Sequence, residues 1–251
     1  MKEITGVLHI HSTYSFDGKI SLEELVEICR KHGHSFAVLT EHAERMTNRD
    51  MKRLVLECDE RSVDNFVLIP GLEIICDGNL HILALGVEEY LYNTEPESLI
   101  EEVHELGGLA VLAHPSKKTP STRVAGLELD ALEIWNARHD GRLAPRMGSI
   151  KLCRIIGDGR LPGCCGLDLH EKEKFIDLHV KMKVNDINAN NILNNIKFGR
   201  FKISNSIISV DPYEDPGIID RSFYSTINGF NFSIKMAKIL FRKIQKSLLN
   251  V

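Results

Sequence analysis

The feature that most limits what this chain can fold into is a recurring one: short apolar runs that lead directly into polar residues, mostly His, Glu and Asp. Ile4 to Leu8 leads into His9-Ile10-His11, Phe36 to Leu39 into Thr40-Glu41-His42, and Phe66 to Pro70 into Gly71-Leu72-Glu73. Leu109 to Ala113 leads into His114-Pro115, Ala131 to Trp135 into Asn136, and Gly163 to Leu167 into Asp168-Leu169-His170. A further run, His81 to Gly86, carries its histidine at the start and follows a turn at Asp77-Gly78-Asn79. Runs this short, flanked by Gly, Pro and polar residues, read as buried strands. Between them lie helical patterns. Ser21-Leu22-Glu23-Glu24 is a capping box opening a helix with an apolar stripe of Leu22, Leu25, Val26 and Cys29, closed by Gly33. Met51, Leu54, Val55 and Cys58 share one helical face, and Thr94-Glu95-Pro96-Glu97 is a second capping box before a helix ending at Gly107-Gly108. Another helix is expected near 143–156. Strands alternating with helices predict parallel βα units, and in a closed parallel barrel functional groups collect at the carboxyl ends of the strands. With seven such runs the expected fold is α/β, a (β/α)7 barrel with a metal site at those ends.

Side chains on a strand alternate faces, so His9 and His11 are expected to point the same way. Asp17 follows in a polar loop, and Gly18 is read as permitting a sharp turn. Together His9, His11, Asp17, His42, Glu73, His81, His114, Asp168 and His170 supply nitrogen and oxygen donors well beyond the roughly four to six that one ion needs, which predicts a cluster. A carboxylate such as Glu73 can bridge two ions about 3.5–4 Å apart. With imidazole dominant and no cysteine among the donors, Zn, Mn or Fe is favoured over Mg or Ca.

The remaining composition bounds partners and compartment. The chain has 251 residues, a 43% apolar and 26% charged composition, and a net charge of −4, which argues against a general bias toward nucleic acid. The start, Met1-Lys2-Glu3-Ile4, is not read as a signal peptide, and no apolar run is long enough to span a bilayer. Six cysteines without a CxxC spacing read as reduced thiols, with a cytoplasmic location expected; adjacent Cys164 and Cys165 read as small packing hydrophobes.

The motifs His9-x-His11 with Asp17-Gly18, Thr40-Glu41-His42, Gly71-Leu72-Glu73, His81, Ala113-His114-Pro115 and Asp168-x-His170 together resemble the PHP (polymerase and histidinol phosphatase) domain over residues 5–171. The resemblance implies a distorted barrel of the PHP type that holds two or three divalent ions and hydrolyses phosphate esters. Carried over, His9, His11, Glu73 and Asp168 would hold one ion, Glu73, His81 and His114 a second, and Asp17, His42 and His170 a third. Two positions depart from the common pattern. Glu41 stands where Asp is commoner and is not expected to ligate. Asp17 stands where some relatives have His, which should weaken the third site's preference for zinc.

The expected activity is hydrolysis of a small phosphorylated molecule by water acidified at the ions. Cationic help for the phosphate is sought in Arg138, with Arg45, Lys117, Lys118 and Arg142 as further mouth-loop candidates, and His139 could protonate the leaving group. Glu133 is expected either to point into the barrel or to support a ligand from behind. His32, His34, His104 and His179 read as surface or packing residues. Other readings are a nuclease or an oligonucleotide or nucleoside bisphosphate phosphatase, histidinol phosphate as substrate, and, from another class, a non-catalytic metal-binding module. Residues 1–171 are read as the core and 172–251 as an extension on the same domain. In that extension strands are expected at Lys181 to Val184 and Ile203 to Val210, a helix over 186–198, and a basic amphipathic helix over 233–249 that packs on the barrel as a surface helix or contacts a membrane surface or an acidic partner.

Overall fold

The computed structural model describes residues 1–233 except 64, 116–118, 214, 218–219 and 232. It begins with β1 (Lys2–Ile10), α1 (Leu22–Lys31), β2 (Phe36–Leu39), β3 (Glu41–His42) and α2 (Asn48–Arg61). The capping box at Ser21 forms as expected, with Ser21 Oγ accepting from Glu24 N and the Glu24 carboxylate accepting from Ser21 N. A second box of the same kind, Thr47 with Asp50, opens α2. The buried faces of these two helices, Leu22, Leu25 and Cys29 in one and Met51, Leu54 and Cys58 in the other, match their stripes.

Next come β4 (Val67–Ile69), β5 (Gly71–Cys76), β6 (Leu80–Leu85), α3 (Pro96–Glu105), β7 (Leu109–Leu112), α4 (Ser121–Val124) and β8 (Ala131–Asn136). The N-cap of α3 is Glu95 and not Thr94: Pro96 takes the first helical turn, and the Glu95 side chain accepts from Glu97 N and Ser98 N. Then follow α5 (Ala137–Asp140), α6 (Met147–Ile156), β9 (Gly163–Gly166), β10 (Leu178–Val184), α7 (Ala189–Lys197), β11 (Phe201–Asn205) and β12 (Ser209–Val210). Residues 220–231 are helical. The expected strand at 203–210 is thus split into β11 and β12 by a turn. The amphipathic helix expected over 233–249 lies, apart from Ser233, outside the described residues.

The fold is α/β and its strands form two mixed six-stranded sheets, ordered β12-β11-β10-β1-β2-β4 and β3-β5-β6-β7-β8-β9. Only Thr40 separates β2 from β3, and only Pro70 separates β4 from β5, so two stretches of chain pass from one sheet into the other. At the far edge Leu167 N donates to Leu8 O and His11 N to Leu169 O, which lays the chain after β9 alongside β1. One expectation is corrected. The units are not all parallel: β6 runs antiparallel to both β5 and β7, because Asp77-Gly78-Asn79 is a tight turn and leaves no room for a crossover helix. Large side chains such as Trp135, Phe36 and Phe66 are fully buried, and all six cysteines are buried with free thiols. Among the described residues no helix is long and apolar enough to cross a membrane.

Candidate metal centre

Glu73 stands at the middle of the predicted donors, 1% exposed, on β5. Its Oε1 lies 2.6 Å from His81 Nδ1 and 3.0 Å from His114 Nε2. Its Oε2 lies 3.3 Å from His9 Nε2, 3.2 Å from His11 Nε2 and 3.4 Å from His42 Nδ1. One carboxylate therefore faces a different set of imidazoles with each oxygen. The antiparallel β5–β6 hairpin supplies His81: its pairing of Ile75 with His81 sets that histidine diagonally from Glu73.

The remaining donors surround this pair. Asp17 Oδ2 lies 3.2 Å from His170 Nε2, and Asp17 Oδ1 lies 3.5 Å from His42 Nε2. Asp168 Oδ1 meets Arg138 at 3.0 Å, and its Oδ2 lies 3.4 Å from His139 Nε2. Four groups bring their ligand atoms within 4.8 Å of one another: His9, His11 and Glu73; Glu73, His81 and His114; His9, His114 and Asp168; and His11, His42 and His170.

The backbone is bent to achieve this. His9, His114 and Asp168 adopt φ of 60°, 25° and 50°, a region that side-chain-bearing residues visit rarely. The β1–β2 register slips between Leu8 and Ile10. His9 and His11 thus reach the same carboxylate, but through an irregularity at His9 and not by simple strand alternation. The expected turn closes at Gly18, whose N–H donates to Ser15 O at 3.3 Å, but its φ is not positive: glycine is required there because a Cβ would collide with the backbone carbonyl of Ser12.

Electrostatics follow from burial against partners. Burial alone would raise the Glu73 carboxyl, but His9, His11, His114 and His81 hold it well below the usual carboxylate range. Burial likewise opposes the charge on His9, yet Glu133 and Glu73 outweigh it and raise its pKa well above the ordinary imidazole value. At His11 burial wins, and the ring is depressed to about 3 despite Glu73. His11 is therefore neutral at pH 7, and its buried Nε2 has no hydrogen-bond partner.

Three residues behind the donors complete the arrangement. Glu133 Oε1 holds His9 Nδ1 at 2.7 Å, while Oε2 accepts from His114 N and Asn136 Nδ2. Gly166 makes room for it, since a Cβ there would strike Glu133 Oε1. Glu41, fully buried, accepts from Ser12 N with both oxygens and from Ser15 Oγ at 2.5 Å. Burial raises its carboxyl to about 7. Ser15 Oγ also accepts from His42 N at 2.9 Å and lies 3.2 Å from His11 Nδ1. With Glu41 ionised, the one hydroxyl proton of Ser15 is committed to it. Ser15 can then only accept from His11, which fixes the His11 proton on Nδ1 and leaves the Nε2 lone pair facing Glu73 and the other rings. Support of a ligand is one of the two roles the sequence suggests for Glu133, but the sequence does not reveal the Ser15–Glu41 pair, since a buried glutamate beside a histidine is spelled like an exposed one.

A set of imidazole nitrogens and carboxylate oxygens, with a buried neutral imidazole nitrogen aimed into it, fits a divalent metal cation. The site opens into a cleft of about 1030 Å³. Arg138, His139, Arg146, Met147 and Gly148 line it, as do Ser225, Asn228, Gly229 and Asn231 from the 220–231 helix. Arg138 NH1 lies 3.0 Å from both Asp168 Oδ1 and His170, with half its side chain exposed. The other predicted cations are elsewhere. Arg45 lies over the Phe16 ring, Arg142 is not among the cleft residues, and Lys117 and Lys118 lie outside the described residues. Of the histidines read as surface or packing residues, His104 pairs with Asp130 and His179 with Asp177, while His34 is buried.

The PHP domain family matches residues 8–139, just over half of the chain. The chain belongs to the PHP domain family. It is 30% identical over 145 residues to an uncharacterized protein of Methanocaldococcus jannaschii, a stretch covering 53% of this chain and 81% of that one. It is 29% identical to the DNA polymerase/3'-5' exonuclease PolX of Bacillus subtilis over 51% of this chain but only 26% of the polymerase. A probable histidinol-phosphatase of Thermotoga maritima is 26% identical over 39% of this chain and 46% of its own length. Among solved structures, a two-domain Bacteroides vulgatus protein containing a PHP-like metal-dependent phosphoesterase superposes with a TM-score of 0.63 at 16% identity, covering 81% of this chain and 65% of that one. A lesion-specific endonuclease of Pyrococcus furiosus superposes with a TM-score of 0.59 at 17% identity, over 80% and 58% of the two chains. Both show the shared fold.

Proposed function

We propose that this chain hydrolyses the phosphate monoester of a small molecule, with two or three divalent ions held by the nine donors. The observation that carries the reading is the division of Glu73 between two sets of imidazoles at the base of an open cleft. His9, His11, Glu73 and Asp168 would hold one ion, Glu73, His81 and His114 another, and Asp17, His42 and His170 a third. Such ions supply Lewis acidity toward a phosphoryl oxygen and a water made acidic near neutral pH.

The protein's own groups do the rest. The Arg138 guanidinium, half exposed at the cleft, pairs with a phosphate oxygen in the planar geometry that suits it. His139, its ring tilted 44° against His114 with centroids 4.8 Å apart, would give a proton to the departing alcohol. Glu133 and the Ser15–Glu41 pair hold His9 and His11 with their Nε2 atoms turned inward. Phosphate release from 4-nitrophenyl phosphate, with protein loaded in turn with Zn, Mn and Fe, tests the reading, and a single-stranded oligonucleotide is run in parallel. Release from the monoester supports it. Cleavage of the oligonucleotide alone assigns a nuclease instead, and no release under any metal refutes hydrolysis.

A further inference from the structure

Two of the donor histidines are held at Nδ1 by a neighbour that is not itself a donor, Glu133 for His9 and Ser15 for His11. His42 is not held in this way. Its Nε2 faces the third donor set, 3.5 Å from Asp17 Oδ1 and 3.4 Å from His170 Nε2, and Asp17 Oδ1 is buried without a hydrogen-bond partner. A ring that ligates through Nε2 carries its proton on Nδ1, and that proton needs an acceptor. Yet His42 Nδ1 is buried and has no hydrogen-bond partner. Two carboxylate oxygens lie near it, Glu73 Oε2 at 3.4 Å and Glu44 Oε2 at 3.9 Å. The first also faces His9 Nε2 and His11 Nε2, where it would serve an ion.

Glu44 has the matching deficit. Its Oε2 is buried without a hydrogen-bond partner, and among the described residues its one ion-pair contact is His42. The backbone accounts for this placement. After β3 the chain turns at once: Ala43 N donates to Glu73 O, Met46 N donates to Ala43 O, and Arg45 takes a φ of 72°. Tyr90 donates its hydroxyl proton to Ala43 O at 2.9 Å and pins the turn from outside. A side-chain-bearing residue in that region is strained, and the strain is borne where Glu44 meets the ring two residues before it. The Arg45 guanidinium meanwhile lies over the Phe16 ring.

We propose that Glu44 is a positioning residue of the metal centre: it accepts the Nδ1 proton of His42 and so fixes Nε2 toward the third ion. The Glu44 side chain is 38% exposed, which leaves it free to swing. A movement of about 1 Å brings Oε2 within hydrogen-bond range of the ring. The role rests on the assignment of a third ion to Asp17, His42 and His170.

Titration of the metal-free full chain with zinc, in competition with a chromophoric chelator, resolves the ions by affinity. Glu44→Ala is expected to loosen one ion of three about tenfold or more and to leave the other two unchanged. Glu44→Gln, which keeps an acceptor oxygen but not the charge, is expected to recover most of that loss. Nitrogen-15 spectra of the zinc-loaded wild type are expected to show His42 protonated on Nδ1, with a mixture of tautomers in Glu44→Ala. Urea unfolding in EDTA checks that the variants fold. A wild type that binds only two ions, unchanged affinity for all three in Glu44→Ala, or a His42 that ligates through Nδ1 overturns the role. If the ion is loosened as expected but no metal supports phosphate release from 4-nitrophenyl phosphate, hydrolysis falls and the role of Glu44 stands.

Discussion

Replacing Ser15 by alanine tests the most exposed step in this reasoning, which is that a residue touching no metal sets how tightly metal is held. The side chain is 3% exposed and serves three groups at once: it donates to Glu41 Oε2, accepts from His42 N and lies 3.2 Å from His11 Nδ1. Deleting the hydroxyl leaves each short of a partner, and a buried polar group so stranded costs about 1–3 kcal/mol. Part of that cost falls on fold stability. The rest falls on His11, whose proton is no longer directed to Nδ1. Loss of such a supporting partner weakens metal binding about 10–100-fold, or about 1.4–2.8 kcal/mol. Competition against a chromophoric zinc chelator measures that affinity, and urea unfolding in EDTA measures stability of the metal-free protein. Nitrogen-15 spectra of the histidine rings report where the His11 proton resides. The wild type is expected to show the Nδ1–H form, and Ser15→Thr, which retains a hydroxyl, to recover most of the affinity. Unchanged zinc affinity in Ser15→Ala, or a wild-type His11 protonated on Nε2, refutes the argument.

Other consequences are open to measurement. Glu73→Gln removes the charge that faces five imidazoles, and elemental analysis of the purified variant is expected to find at least one ion fewer per chain than in the wild type. Arg138→Lys keeps the charge but not the planar fork, so KM for a phosphate monoester is expected to rise roughly tenfold with a smaller change in kcat. His34 offers a pH test remote from the metal centre. Burial, with His179 and His32 nearby, depresses its ring to about 4. The unfolded chain takes up this proton below about 6.5 while the folded one resists it until about 4, so stability is full above 6.5 and is lost as the pH falls. The loss amounts to about 3 kcal/mol, and His34→Gln is expected to flatten the difference between urea unfolding at pH 7 and at pH 4.

The parts of this fold that were legible share a cause. Apolar runs of four or five residues have few ways to be buried, so the polar residue that ends each of them is brought to one end of the fold, and His9, His11, His42, His114 and Asp168 could be read in that way. Ser21 with Glu24 was legible because a capping box satisfies backbone donors within four residues of sequence. The direction of β6 was open to reading as well: Asp77-Gly78-Asn79 joins two apolar runs by a tight turn, which spells an antiparallel hairpin, and the general βα alternation masked it. The coupling of Glu41 to His11 was not legible, because it runs through Ser15, twenty-six residues from Glu41, and is decided by burial. The 220–231 helix owes its place to single asparagine bonds to distant carbonyls, a pattern with no periodic signature.

The first strand has one edge shared by two late arrivals. Its beginning pairs with β10, from Lys2 opposite Val184 to Gly6 opposite Val180, and its end with residues 167–169. During synthesis the opening histidines must therefore wait for some 180 residues to emerge before their strand is flanked on both sides. A fragment ending at residue 139 would expose that edge to other chains, so zinc or manganese offered to such a fragment should meet an aggregating half-sheet and not a formed pocket.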